Sequence, residues 1–297
     1  METLEHRRFA EFCDACRRYG YIGLCYGSPG VGKTLSARHY SGWDKFRRAD
    51  CFHLETCDGS ILDTVFYTPP VVNTPGIIAS EIYRARADLL ELAKQPLLRE
   101  KAEKLDGIRQ RDEEHQRRAI VAGDWMSGKK VAKLEPTFRQ VADEFAAKER
   151  QITDPTTLIV IDEADRLRMA SLEPARAIFD AGEEGMILIG MPGLEKRLAR
   201  YAQFYSRIGF VHEFRPLGAA EIRQLLERRW TPAGVCLPDQ PMDAETMAAI
   251  IRMTGGNFRL LTRLLTQMER IMELNALQEV TKAVVEAARE SLVIGEA

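Results

Sequence analysis

The stretch Gly27-Ser28-Pro29-Gly30-Val31-Gly32-Lys33-Thr34 constrains this chain more than any other. It matches G-x-x-x-x-G-K-[ST] at every fixed position. Such a loop bends tightly and turns successive backbone N–H groups toward a polyphosphate, which glycine permits because it lacks a Cβ. Lys33 is then placed to reach the β- and γ-phosphates, and the Thr34 hydroxyl to lie on Mg2+. Leu35, next in line, is counted with the nucleotide-binding residues. Tyr21 to Tyr26 reads as the strand feeding the loop, and Lys33 to Tyr40 as a helix whose N-terminal dipole faces the anion.

The 297 residues suffice for one large α/β core and a smaller domain. Lys+Arg 42 against Asp+Glu 44 leaves a net charge of -2, so contact with nucleic acid must come from a local patch. No apolar run approaches the ~20 residues of a membrane span. Met1 to Arg8 is too charged for a signal peptide, so a cytoplasmic protein with no membrane partner is expected. Cys13 and Cys16 form a C-x-x-C, and Cys51, His53 and Cys57 a second group. Neither has the spacing of a standard zinc finger; core or incidental thiols are expected over zinc ligands.

Residues 3 to 18 read as a short amphipathic helix, after which Tyr19 or Tyr21 either covers an adenine or simply packs. Cys51 to Thr56 and Leu62 to Thr68 look extended, the second closed by Pro69-Pro70. Thr74-Pro75-Gly76 opens a helix running to about Leu92. From 91 to 150, 26 of 60 residues are charged, 14 basic and 12 acidic, which predicts a solvated, mostly helical insertion. Within it Lys129, Lys130 and Lys133, beside Trp125, are the candidates for contact with DNA phosphates. Thr137 to Arg150 is a further amphipathic helix.

Leu158-Ile159-Val160-Ile161-Asp162-Glu163 is an apolar run ending in two acids, read as a strand buried on both faces. Downstream of a phosphate loop this is a Walker B pattern: Asp162 holds Mg2+, and Glu163 polarises the attacking water. Met186 to Gly190 is the next buried strand, Gly193 to Tyr205 a helix, and Phe210 to Phe214 the last strand before Pro216. The alternation argues for a parallel α/β sheet flanked by helices. Ala219–Trp230, Asp243–Met253, Asn257–Glu273 and Thr281–Ser291 then read as helices with no strand between them. The expected organisation is an N-terminal helix over 1–20, a nucleotide-binding α/β domain over 21–215 and a small all-helical lid over 216–297.

The loop, the Asp162-Glu163 strand end and the helical tail together resemble the AAA+ class of P-loop NTPases. Gly23 to Thr34, Ile189 to Leu194 and Tyr205 to Gly209 further resemble DNA-transposition ATPases of the MuB, TniB and TnsC kind. The resemblance implies an ATPase using ATP and Mg2+. It implies that Arg207 is an arginine finger reaching a neighbouring subunit's ATP. It also implies that Gly255-Gly256-Asn257-Phe258-Arg259 is the second sensor, with Arg259 on the γ-phosphate. The chain departs from the family at the first sensor, because Gly190-Met191-Pro192 offers no polar side chain. The implied function is an ATP-dependent regulator of transposition that forms a homo-oligomeric ring or filament on duplex DNA and recruits a transposase. The alternatives are another DNA-associated AAA+ machine, such as a helicase loader or repair motor, and an ATP-gated switch with a protein partner.

Overall fold

A computed structural model describes residues 3–44, 62–121, 134–238 and 241–292. Ile22–Tyr26 (β1) lies inside a five-stranded parallel sheet, as its apolar character and the burial of Ile22 to Cys25 require. The others are Thr64–Tyr67 (β2), Leu158–Ile161 (β3), Gly185–Gly190 (β4) and Ile208–Glu213 (β5), in the spatial order β2-β3-β4-β1-β5. Ile22 pairs in parallel with Met186 on one side and Ile208 on the other. β2 and β5 are the edge strands, and the side chains of β5 alternate between half-buried and exposed. Parallel register brings the C-terminal ends of β1, β3 and β4 to one edge of the sheet, where α/β folds bind ligands.

Leu4–Tyr19 (α1) is capped by Thr3, whose hydroxyl accepts the His6 N–H, and ends at Gly20. Lys33–Tyr40 (α2) follows the phosphate loop. Pro75–Val121 (α3) runs for 47 residues, so the helix expected to stop near Leu92 continues through the charged segment. Ion pairs at i,i+4 along it, such as Glu100 with Lys104 at 2.9 Å and Arg109 with Glu113 at 3.5 Å, account for helix where apolar residues are sparse. Phe138–Glu149 (α4) starts in a capping box of Thr137 and Gln140.

Met169–Ala181 (α5) joins β3 to β4. The single helix expected over 193–205 is two, Leu194–Ala199 (α6) and Ala202–Tyr205 (α7). The tail carries Ala219–Glu227 (α8), Ala244–Thr254 (α9), Phe258–Leu274 (α10) and Lys282–Glu290 (α11). Their apolar faces close a core of their own around Ile250, Leu261, Leu265, Met268 and Val285.

The chain divides into two compact units. One comprises Met1–Ser41, Phe66–Ala79 and Leu158–Ala297, so the helical tail groups with the sheet. The other comprises Gly42–Val65 and Ser80–Thr157. Its small core is Ile108, Val141 and Phe145, with the ammonium groups of Lys104 and Lys148 about 5 Å from the Phe145 ring. Among the described residues no helix is long and apolar enough to cross a membrane.

Candidate functional site

The phosphate loop leaves the C-terminal end of β1, turning through Gly30 at φ 82° and Gly32 at φ 112°. A Cβ at Gly30 would also stand 2.5 Å from Asn257 Oδ1, so both conformation and space demand glycine there. Lys33 Nζ donates to the carbonyls of Gly27 at 2.6 Å and Ser28 at 2.9 Å, folding the side chain back across its own loop. Burial lowers its pKa, with Cys25, Asp162 and Asp165 pulling the other way.

Thr34 Oγ1 donates to Asp162 Oδ2 at 2.7 Å, joining two residues 128 apart in sequence. The backbone supports that meeting, since Asp162 N–H donates to Tyr67 O at 2.8 Å just past β3. Burial raises the Asp162 carboxyl above its ordinary value, and the Thr34 hydroxyl offsets part of this. A hydroxyl and a carboxylate held together on a phosphate loop are the hard oxygen donors that suit Mg2+, so the residues present fit that ion.

Glu163 takes the left-handed conformation at φ 50°, which costs a non-glycine residue about 1–2 kcal/mol. Its carboxylate is ion-paired with Arg166. Arg166 in turn donates to Pro69 O at 2.9 Å, and its own carbonyl accepts the Asn73 side-chain amide at 3.0 Å. The paired side chains are 36% and 47% exposed, so the ion pair is worth at most about 1 kcal/mol and releases Glu163 readily.

The lid enters through the first turn of α10. Arg259 N–H donates to Gly30 O at 2.9 Å, and the Asn257 side-chain amide donates to Pro29 O at 2.9 Å. Asn257 Oδ1 also caps the helix by accepting Leu260 N–H at 3.2 Å. The result is a cleft of about 740 Å³ lined by Lys33, Thr34, Asp162, Glu163 and Arg259. Of the sequence candidates, Pro29, Gly30, Gly32 and Leu35 also line it, while Ser28 and Val31 face a second cleft. Arg38, Asp165, Arg166 and Arg263 line it too and were not anticipated. Arg38 and Arg263 stand four residues beyond Thr34 and Arg259, a helical repeat that could have pointed to them.

Arg207 stands elsewhere. Its carbonyl accepts Ile22 N–H, which places it at the start of β1 and β5, a full strand from the phosphate loop. Its guanidinium is paired with Asp180 on α5, with Nη2 at 2.8 Å from Oδ2, and that carboxylate raises the arginine's pKa. At this end of the sheet the packing alternative for Tyr19 and Tyr21 holds over the adenine one. Both rings pack on Phe210, with centroids 6.0 and 5.7 Å away, so they are packing aromatics. The length of β1, roughly 17 Å, separates them from the phosphate loop.

Cys13, Cys16 and Cys25 are buried free thiols; burial pushes the Cys16 thiol up to about 12. Among the described residues no cluster of three or more His, Cys, Asp or Glu could hold a metal ion. Cys51, His53, Cys57, Lys129, Lys130 and Lys133 lie outside the described residues.

A phosphate loop at the end of the first strand, an acidic pair at the end of the third and a helical C-terminal region define a P-loop nucleotide-binding protein of AAA+ architecture. The chain belongs to the AAA domain family, whose model matches residues 16–198. It is 38% identical over 303 residues to a potential ATP-binding protein of Staphylococcus aureus, covering 99% of this chain and 97% of that one. Among solved structures it resembles the Thermotoga maritima RuvB Holliday junction branch migration motor, with a TM-score of 0.53 at 15% identity over 99% of this chain and 71% of that chain. It also resembles the Aeropyrum pernix ORC1 protein in complex with DNA, with a TM-score of 0.51 at 20% identity over 97% of this chain and 64% of that chain. At these identities the structural likeness is one of fold.

Proposed function

We propose that this protein hydrolyses ATP and uses the cycle to assemble on and leave duplex DNA. The observation that carries the reading is the 2.7 Å contact between Thr34 and Asp162, inside a cleft that Lys33, Glu163 and Arg259 share. Thr34 and Asp162 would hold Mg2+, which neutralises charge on the β- and γ-phosphates when bound. Lys33 exchanges its bonds to Gly27 and Ser28 for phosphate oxygens. Glu163 leaves Arg166 and takes the proton of the attacking water. Arg259 closes on the γ-phosphate from the lid, and Arg207 leaves Asp180 to offset transition-state charge in a neighbouring subunit's site.

The finer reading is a regulator of DNA transposition: subunits joined through Arg207 form a ring or helical filament on DNA and recruit a transposase. Many subunits, each with a few phosphate contacts through Lys129, Lys130 and Lys133, would bind DNA without reading its sequence. RuvB and ORC1, the structural likenesses named for a branch migration motor and a DNA complex, support a DNA-associated role without selecting transposition. Electron microscopy with duplex DNA and a nonhydrolysable ATP analogue tests this. Regular protein arrays on DNA with the analogue, absent with ADP, are expected. Monomeric protein and bare DNA under both conditions would remove the assembly reading.

A further inference from the structure

β4 ends in Gly190-Met191-Pro192 and offers the cleft no polar side chain of its own. The carboxylate of Asp165, carried on the short turn after β3, stands in that place. Its Oδ2 accepts Met191 N–H at 2.7 Å. A Cβ on Gly190 would lie 2.6 Å from the same oxygen, so the carboxylate has room only because position 190 is glycine. Arg197 on α6 fixes the turn from outside, donating to Asp165 O at 2.8 Å and to Ala164 O at 2.9 Å.

Asp165 lines the cleft with Lys33, Thr34, Asp162 and Glu163. One of its oxygens is committed to Met191; among the described residues the other accepts no hydrogen bond. A carboxylate anchored by one oxygen at the wall of a phosphate cleft is a rigid acceptor. A water attacking phosphorus carries two hydrogens and needs two acceptors to fix its lone pair on the reacting atom.

We propose that Asp165 is a further residue of the hydrolytic site, its free oxygen accepting the water hydrogen that Glu163 does not take. This rests on the ATPase reading above. In the step, the water oxygen bonds to Pγ. The bond from Pγ to the bridging oxygen breaks, its electron pair leaving on ADP. One water proton passes to Glu163, while Asp165 orients the second O–H and remains unprotonated. The chain thereby supplies from the β3 turn a polar group that the end of β4 lacks.

Asp165→Asn isolates this role. The amide oxygen can still accept Met191 N–H, which leaves an NH2 donor where an acceptor is needed. Single-turnover hydrolysis at saturating ATP is expected to fall about tenfold or more, with the Kd of a nonhydrolysable analogue changed less than about threefold. A purely structural role would instead lower melting temperature, affinity and rate together. A second pair of variants uses the shared space. Asp165→Gly with Gly190→Asn brings an acceptor oxygen from the strand itself and should turn over faster than Asp165→Gly alone. Asp165→Gly with Gly190→Ala fills the space without one and should stay slow. Equal rates in the two double variants, or a wild-type rate in Asp165→Asn beside an inactive Glu163→Gln, would overturn the assignment of Asp165 alone. A wild-type protein that hydrolyses no ATP would overturn the ATPase reading with it.

Discussion

Asn257→Ala is expected to cost about 2 kcal/mol of stability and to weaken nucleotide binding. The side chain does two separable things. Its Oδ1 caps α10 through Leu260 N–H, and loss of such a cap costs about 1 kcal/mol. Its Nδ2 ties the lid to Pro29 O across 228 residues of sequence, a neutral hydrogen bond worth about 1 kcal/mol. Asn257→Asp separates them: aspartate caps equally well but cannot donate to Pro29 O, so about half the loss is expected. Arg259 N–H holds Gly30 O from the same turn, and fraying there loosens both the loop and the arginine. A tie worth about 1 kcal/mol corresponds to a rise of about fivefold in nucleotide Kd. Urea denaturation of the two variants at equal m-value gives the stability difference, and a nucleotide titration gives the Kd. An alanine variant within about 0.5 kcal/mol of wild type, or an aspartate variant as unstable as alanine, would refute the two-part accounting.

Lys33→Ala removes the charge that now bridges the Gly27 and Ser28 carbonyls and should abolish nucleotide binding; undiminished binding of a fluorescent ATP analogue would contradict its role. Arg207→Ala should retain nucleotide binding and lose hydrolysis, and mixing it with Lys33→Ala protein should restore some turnover. Failure of any such rescue argues against a site shared between subunits. Asp162→Asn tests the cost of a buried charge. Because the Asp162 pKa is raised in the folded state, its ionised form destabilises the protein above that value, while below the ordinary carboxylate range the penalty is absent. The variant should therefore raise the Tm of nucleotide-free protein at pH 7, with the gain vanishing as pH falls into the carboxylate range. An unchanged or lower Tm at pH 7 would contradict the direction.

The phosphate loop and the Asp162-Glu163 strand end were legible because each is a short run whose residue types are dictated by local chemistry. So was the order of strands and helices over the described residues, since period and turn residues are local signals; the extended stretch expected over Cys51 to Thr56 lies outside them. Contacts between distant segments were not. Asp165 beside Gly190, Asn257 on Pro29 and Arg166 on Pro69 depend on which turns the sheet brings together, and no local spacing encodes that. Helix was expected on both sides of Leu92, but not that α3 would run through unbroken past Pro96, with ion pairs supporting it beyond. For Tyr19 and Tyr21 both alternatives stood open in the sequence, and their packing on Phe210 at the far end of β1 decides for the packing one.

On the proposed reading this cleft hydrolyses ATP, and Glu163 is the group that receives the water's proton. The direct measurement is phosphate release from Mg-ATP by wild-type protein and by Glu163→Gln, alongside ATP retention by each. Turnover by wild type, with Glu163→Gln binding ATP yet releasing phosphate about 100-fold more slowly, is the predicted result. Equal rates of release from the two proteins would contradict it.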